Sequence, residues 1–101
     1  MHLVQILLPL TDNAGHRFDN AAYGRVRQEL SDRFGGITSF TRAPAEGMWK
    51  ERGHLNRDDI VVFEVMARDI DRPFWERYRA DLERRFAQET IVVRAIRVEM
   101  L

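Results

Sequence analysis

Cysteine is absent from this chain of 101 residues, and lysine nearly so, since Lys50 is the only one among 16 basic side chains. The lack of cysteine excludes disulfides, thiolate zinc sites, iron–sulfur clusters and a cysteine nucleophile. An excess of charge of one sign is missing too, because 16 acidic side chains cancel the basic ones. A chain without a basic field does not concentrate nucleic acid or anionic lipid, so we expect neither as a partner.

Long apolar runs are also missing. The apolar run at residues 3–10 is interrupted by Gln5 and Pro9 and has no cationic leader before it, so it fits neither a membrane span nor a secretory signal. We therefore expect a cytoplasmic protein. A hydrophobic fraction of 45% and a charged fraction of 32% are ordinary for a folded domain, and no linker or repeat divides the chain, so residues 1–101 are predicted to form one domain.

Strand-forming residues are concentrated in four segments. The run from Ile60 to Met66 is apolar on both faces except for Glu64, which is typical of a central strand. The segment 37–42 alternates and has a half-polar face, which favours a sheet edge. The predicted strands are residues 3–10, 37–42, 60–66 and 91–98.

Two segments have the apolar period of a helix. Residues 20–34 repeat apolar side chains at steps of three and four, with Asp19 or Asn20 as the N-cap and Gly35-Gly36 as the stop. A second helix opens at Asp71-Arg72-Pro73, because aspartate caps free N–H groups and proline is tolerated in a first turn. Its predicted buried stripe is Phe74, Tyr78, Leu82 and Phe86. Expected outer-face ion pairs are Arg25–Glu29, Glu29–Arg33, Arg79–Glu83 and Asp81–Arg85.

The predicted element order is strand, helix, strand, strand, helix, strand. This is the α+β order of the ferredoxin-like βαββαβ fold. Right-handed crossovers then give a four-stranded antiparallel sheet with the first and third strands in the middle and both helices on one face.

The other face of such a sheet is open, and alternation predicts its side chains. Wholly apolar sets such as Val4, Ile6 and Leu8 must face the helices, which places Gln5 and Glu64 on the open face. Around them we expect five apolar side chains, and an apolar surface of this kind marks an interaction site, so a second copy of the chain is the predicted partner. The five are Leu3, Leu7, Ile60, Val62 and Met66.

The element order, the length and the apolar open face resemble the dimeric α/β-barrel group of ferredoxin-like proteins. The stretches 34–49 and 57–66 are similar to a small set of bacterial proteins without an assigned activity. The resemblance implies a homodimer whose two sheets pack face to face and enclose a small-molecule pocket. The group includes cofactor-free monooxygenases, isomerases, haem-degrading enzymes and non-enzymatic members, so the activity stays open and no cofactor is expected.

Glu64 is the most informative candidate, because a carboxylate within an apolar central strand needs a polar partner. Gln5 is expected on the neighbouring strand, and Arg94 or Arg97 could reach from the fourth; alternation favours Arg94, on the face of Glu64. Two interpretations remain open. One is a structural ion pair at the interface of a non-enzymatic structural or regulatory dimer, and the other is a polar floor of Gln5, Glu64 and Arg94 that orients a small organic ligand.

The segment 43–58 is the second candidate, because its roughly sixteen residues are far more than the about two to five of a usual hairpin connection. It carries Trp49, an aromatic anchor and pocket candidate, and His54, a weak candidate for a general base alongside Glu64. It is interpreted either as a sub-hairpin across Arg52-Gly53 or as a lid over the pocket. Glu51 and His54 form only half of a di-metal motif, so no metal site is predicted.

Overall fold

The computed structural model describes residues 1–42 and 60–101. These residues follow the predicted order of strand, helix, strand, strand, helix, strand, which confirms the α+β class. Both ends of each strand lie within one residue of the predicted ends. The elements are β1 (His2–Pro9), α1 (Asn20–Phe34), β2 (Thr38–Arg42), β3 (Ile60–Ala67), α2 (Arg72–Arg85) and β4 (Val92–Arg97).

The strands form one antiparallel sheet in the order β2-β3-β1-β4. The two most apolar strands, β1 and β3, are therefore the central ones, as their patterns predict. This order is compatible with a ferredoxin-like arrangement.

The core lies between one face of the sheet and both helices. Val4, Ile6 and Leu8 of β1 are at most 2% exposed and belong to the same buried cluster as Leu30 of α1 and Leu82 of α2. Because residues two apart on a strand share a face, both helices must cover the same side of the sheet. The side chains of the intervening positions, Leu3, Gln5 and Leu7, therefore point away from the core.

Helix α1 begins and ends where the sequence predicts. Asp19 is the N-cap, and its carboxylate accepts a hydrogen bond of 3.0 Å from the Ala22 N–H. Gly35 ends the helix with a φ of 78°, a left-handed conformation that glycine adopts without strain, and its N–H donates to the Ser31 carbonyl. The chain thereby turns towards the end of the sheet.

The Tyr23 hydroxyl joins α1 to the end of β1. It donates a hydrogen bond of 2.6 Å to the Pro9 carbonyl, while the ring is buried in the core. Burial raises the pKa of the Tyr23 phenol, and the charge of nearby Arg17 opposes this rise.

Helix α2 begins after Asp71, whose carboxylate accepts a hydrogen bond of 3.1 Å from the Phe74 N–H. Tyr78 and Leu82 are buried as predicted, but the first buried position is Trp75 rather than Phe74, which is half-buried. The prediction placed Phe74 there because it lies four residues before Tyr78. A strict step of four drifts around a helix of 3.6 residues per turn, whereas Trp75, Tyr78 and Leu82 follow steps of three and four and share one face. Phe74 lies beside this face, edge-on to Trp75 with ring centroids 4.9 Å apart.

A polar cluster joins the two helices, and we call Glu29, Tyr78, Asp81 and Arg85 the interhelical cluster. Glu29 Oε1 accepts hydrogen bonds from the Tyr78 hydroxyl and from Arg85 Nη1, both at 2.8 Å. Arg85 Nη1 also lies 3.1 Å from an Asp81 oxygen, and the Arg85 side chain is only 15% exposed. Charge-assisted bonds of this length are among the stronger polar contacts in a protein.

Glu29 and Tyr78 have pKa values displaced from their ordinary ones. Burial raises the pKa of the Glu29 carboxyl, but the hydrogen bonds from Arg85 and Tyr78 outweigh burial and hold this pKa below its usual range. Burial, reinforced by the Glu29 carboxylate, raises the pKa of the Tyr78 phenol. The cluster is therefore an ionised carboxylate held between a cation and a neutral phenol at neutral pH.

Candidate functional site

Strand register brings the three predicted polar residues into one line. Gln5 of β1 lies opposite Glu64 of β3 on one side and opposite Arg94 of β4 on the other. All three have the parity of Leu3 and Leu7, so they share the face of the sheet that the helices leave uncovered. We call this surface the open face and the three residues the polar row.

Hydrogen bonds run along the polar row from Arg94 through Gln5 to Glu64. Arg94 Nε donates to Gln5 Oε1 at 2.7 Å, and Gln5 Nε2 donates to Glu64 Oε2 at 2.7 Å. Both ends of the Gln5 amide are thus engaged, with the oxygen towards the cation and the nitrogen towards the carboxylate. This orientation matches the amide dipole to both charges.

The three residues meet as predicted, and within one chain Gln5 joins Arg94 to Glu64 in place of a direct ion pair. Among residues 1–37 and 60–101, neither side chain lies within ion-pair distance of an opposite charge. The physical reason is the sheet order, because β1 separates β3 from β4 and Gln5 occupies the space between the charges. Arg97, the other candidate partner, lies opposite His2 and therefore on the helix side of β4.

Apolar side chains flank the polar row on both sides along the strands. One apolar row is Met66, Leu3 and Ile96, and the other is Val62, Leu7 and Val92. Met66 is 36% exposed, Ile96 46% and Val92 47%, although none of them is charged or polar. The open face is thus apolar with one polar line across its middle.

The predicted exposure of Val62 is wrong, and that of Leu3, Leu7 and Ile60 is only partly correct. Val62 has the expected register position, opposite Leu7, but is only 2% exposed. Valine has a short side chain, and β3 is paired on both sides, so longer neighbouring side chains shield Val62 from solvent. Leu3, Leu7 and Ile60 are half-buried.

A concavity of about 340 Å³ adjoins the Glu64 end of the polar row. The turn after α1 forms one wall, and the open face forms the other. The sequence did not indicate this wall, although the helix stop at Gly35-Gly36 is the signal that the chain crosses here towards β2. Its lining residues are Leu3, Phe34, Gly35, Gly36, Ile37, Glu64 and Met66.

The predictions for Trp49 and His54 concern residues outside those that the structure describes, and so does the choice between a sub-hairpin and a lid for residues 43–58. Across residues 1–42 and 60–101, no three acidic or histidine side chains are grouped to hold a metal ion. In the same residues, no helix is long and apolar enough to cross a membrane.

Comparison of the chain with models of protein families, with curated proteins and with solved structures gave no match. Chemically, the row offers a carboxylate acceptor at one end and a guanidinium donor at the other. Gln5 holds both in place from the centre.

Proposed function

We propose that the protein is a homodimer that binds a small molecule between two sheets. Each ferredoxin-like unit would cover the open face of the other, forming a dimeric α/β barrel. The observation that carries the proposal is a polar row set among exposed apolar side chains on the uncovered face of a sheet.

The apolar rows support a second copy as the covering partner. Met66, Val92 and Ile96 retain more than a third of their surface in water, at 36%, 47% and 46% exposure. Burial of apolar surface contributes about 25 cal/mol per Å², so a face carrying several such side chains is stabilised when it is covered. Zero net charge removes the repulsion that two like-charged copies would experience.

The concavity beside Glu64 supports a ligand. Its volume of about 340 Å³ suits a small organic molecule, and covering by a second sheet would enclose it further. Leu3, Met66 and Ile37 provide apolar walls, while the Glu64 carboxylate provides one hydrogen-bond acceptor. The expected ligand has an apolar body and a hydrogen-bond donor.

A ligand-free structural dimer is the second candidate. It is favoured by the saturation of Gln5, whose amide oxygen and nitrogen are both engaged within the chain. In this alternative the polar row is fully consumed by pairing at the interface and leaves no acceptor for a ligand.

Sedimentation and ligand screening separate these candidates. At micromolar concentration we expect a species of twice the 11.9 kDa chain mass, and a persistent monomer would contradict the dimer. A thermal-shift screen of small organic cations and amides should then yield compounds that raise the melting temperature, because a ligand of the folded state stabilises it by mass action.

The matched controls are Glu64→Gln and Glu76→Gln, screened at concentrations where the chain is fully dimeric. Glu76 is an exposed carboxylate on α2, remote from the open face. Compounds bound beside Glu64 should lose their effect in the first variant and keep it in the second. A dimer with no stabilising compound, or with compounds indifferent to Glu64→Gln, would favour the structural candidate.

A further inference from the structure

We infer that each Glu64 forms an ion pair with Arg94 of the partner subunit, so that the polar wall of each pocket is built from two chains. This inference rests on the proposed homodimer and adds its symmetry and the residues that meet. Its starting observation is that Glu64 and Arg94 have no ionic partner among the described side chains, although they share the open face.

The polar row has a direction across the sheet. Glu64 lies on β3 and Arg94 on β4, with β1 between them, so two strand spacings of about 4.8 Å separate their backbones. A negative end and a positive end therefore lie roughly 10 Å apart on one line perpendicular to the strands. That distance leaves both charges on a surface whose neighbours are apolar.

Homodimers usually have a two-fold axis, and then residue i contacts j wherever j contacts i. When the strands of two sheets packed face to face are aligned, two such axes are possible in the plane between them, one parallel and one perpendicular to the strands. With an axis parallel to the strands and passing over β1, β3 of one subunit lies over β4 of the partner, and β1 lies over β1 of the partner. Glu64 then faces the partner's Arg94, Arg94 faces the partner's Glu64, and Gln5 faces the partner's Gln5.

With an axis along the polar row, each strand lies over the same strand of the partner instead. Glu64 would then face the partner's Glu64, and Arg94 would face the partner's Arg94. Like charges in a partly desolvated interface repel each other strongly, and neither would have a counter-charge among the described side chains of its own chain. Charge complementarity therefore selects the axis parallel to the strands.

The apolar rows are compatible with both axes, so they do not make this choice. With the axis parallel to the strands, Met66 faces the partner's Ile96, and Val62 faces the partner's Val92. With the other axis, each apolar row faces the opposite apolar row. The polar row is thus the feature of the open face that sets the orientation of the two copies.

This symmetry also completes the site. The concavity beside Glu64 has an acceptor but no cationic group among its lining residues. The partner's Arg94 supplies the donor, and its guanidinium is suited to planar carboxylate recognition because it presents a fork of N–H groups. Each pocket then depends on both chains, and a separated monomer would lack half of its polar wall.

Charge reversal followed by mixing tests the inference. In Glu64→Arg, both contacts across the axis would join two arginines, and in Arg94→Glu both would join two glutamates. We expect each variant alone to dimerise roughly a hundredfold more weakly than the unmodified chain. A mixture of the two should form a heterodimer with nearly unmodified affinity, because each contact then joins an arginine to a glutamate.

The mixture distinguishes contacts between chains from contacts within one chain. If Glu64 and Arg94 interacted only within a chain, mixing would restore nothing, whereas the double variant Glu64→Arg/Arg94→Glu would be restored in one chain. Arg97→Glu is the matched control, since Arg97 lies on the other face of β4, and it should leave dimerisation unchanged. Sedimentation of each species and of the mixture provides the measurement.

Failure of the inference is separable from failure of the dimer. An unmodified chain that stays monomeric would overturn the proposed function, and with it this pairing. An unmodified dimer whose affinity neither reversal changes would overturn the pairing alone. If circular dichroism showed that a charge-reversed variant does not fold, Glu64→Gln and Arg94→Gln would replace the reversed variants. Their heterodimer regains one of the two ion pairs and should therefore bind more tightly than either homodimer. A heterodimer affinity between those of the two homodimers would overturn the inference.

Discussion

The interhelical cluster and the polar row use the same types of side chain in different ways. Each contains a glutamate, an arginine and a neutral polar group. In the interhelical cluster, Arg85 contacts Glu29 directly at 2.8 Å. In the polar row, Gln5 lies between Arg94 and Glu64 and bonds to each at 2.7 Å.

The difference indicates where each set of charges acts. The interhelical cluster pairs its charges inside the chain, so its contribution is to the stability of the folded unit. The polar row keeps its charges apart and exposes their outer sides on a face that is otherwise apolar. A polar cluster with unpaired ends on an apolar surface is a better candidate for recognition than one whose charges are already matched.

The largest expected effect concerns the interhelical cluster. Arg85→Ala should lower the free energy of unfolding by about 3 kcal/mol, because it removes the cation that both Glu29 and Asp81 contact. Urea denaturation measures this loss. Arg84→Ala is the matched control, since that side chain is 73% exposed and its pair with Asp81 should contribute less than about 1 kcal/mol. Equal losses in both variants would contradict the structural role of the cluster.

The next effect concerns the open face and should leave the folded unit intact. Ile96→Ala removes apolar surface that is 46% exposed in the single chain, and a two-fold dimer loses it twice. We expect about 2 kcal/mol of weaker dimerisation, or roughly a thirtyfold higher dissociation constant by sedimentation. Arg77→Ala on the exposed side of α2 should change nothing. A large loss of unfolding free energy in Ile96→Ala without weaker dimerisation would remove the contrast between the two regions.

The smallest effect is a pH dependence confined to the interhelical cluster. The folded-state pKa of Glu29 lies below its ordinary value of 4.5, so its stabilising contribution is complete above that pH and is lost as the pH falls through the folded-state pKa. The unfolding free energies of the unmodified chain and of Glu29→Gln should therefore differ at pH 7 and converge as the pH falls below 4.5. Curves that stayed parallel would contradict the lowered pKa.

The strand pattern predicted the polar row because alternation and register are local rules. Once β1 and β3 are neighbours at the centre, parity puts Gln5 and Glu64 on the same face and selects Arg94 over Arg97, and the observed register places the three side by side. The missing direct contact was not predictable from parity alone. It depends on the width of β1 and on the reach of the Gln5 side chain between two charges.

Helical spacing predicted the local ion pairs and missed the contacts between helices. Arg25 lies 3.4 Å from Glu29 and Arg79 lies 3.8 Å from Glu83, as expected from a spacing of four. Arg33 does not pair with Glu29 as expected, because its guanidinium lies 3.1 Å from the carboxylate of Asp71. A spacing rule compares positions within one helix, whereas these contacts depend on how α1 and α2 pack together.

The two tyrosines give the protein an absorbance signal that reports unfolding at alkaline pH. Tyr23 and Tyr78 are the only tyrosines in the chain, and both phenols have raised pKa values, from burial in each case. In the folded molecule both phenols therefore ionise at a higher pH than a free tyrosine, whose pKa is 10.0. Near pH 10, the ultraviolet absorbance of tyrosinate should therefore increase when the helices separate from the sheet, which gives the protein an intrinsic optical reporter of its own unfolding.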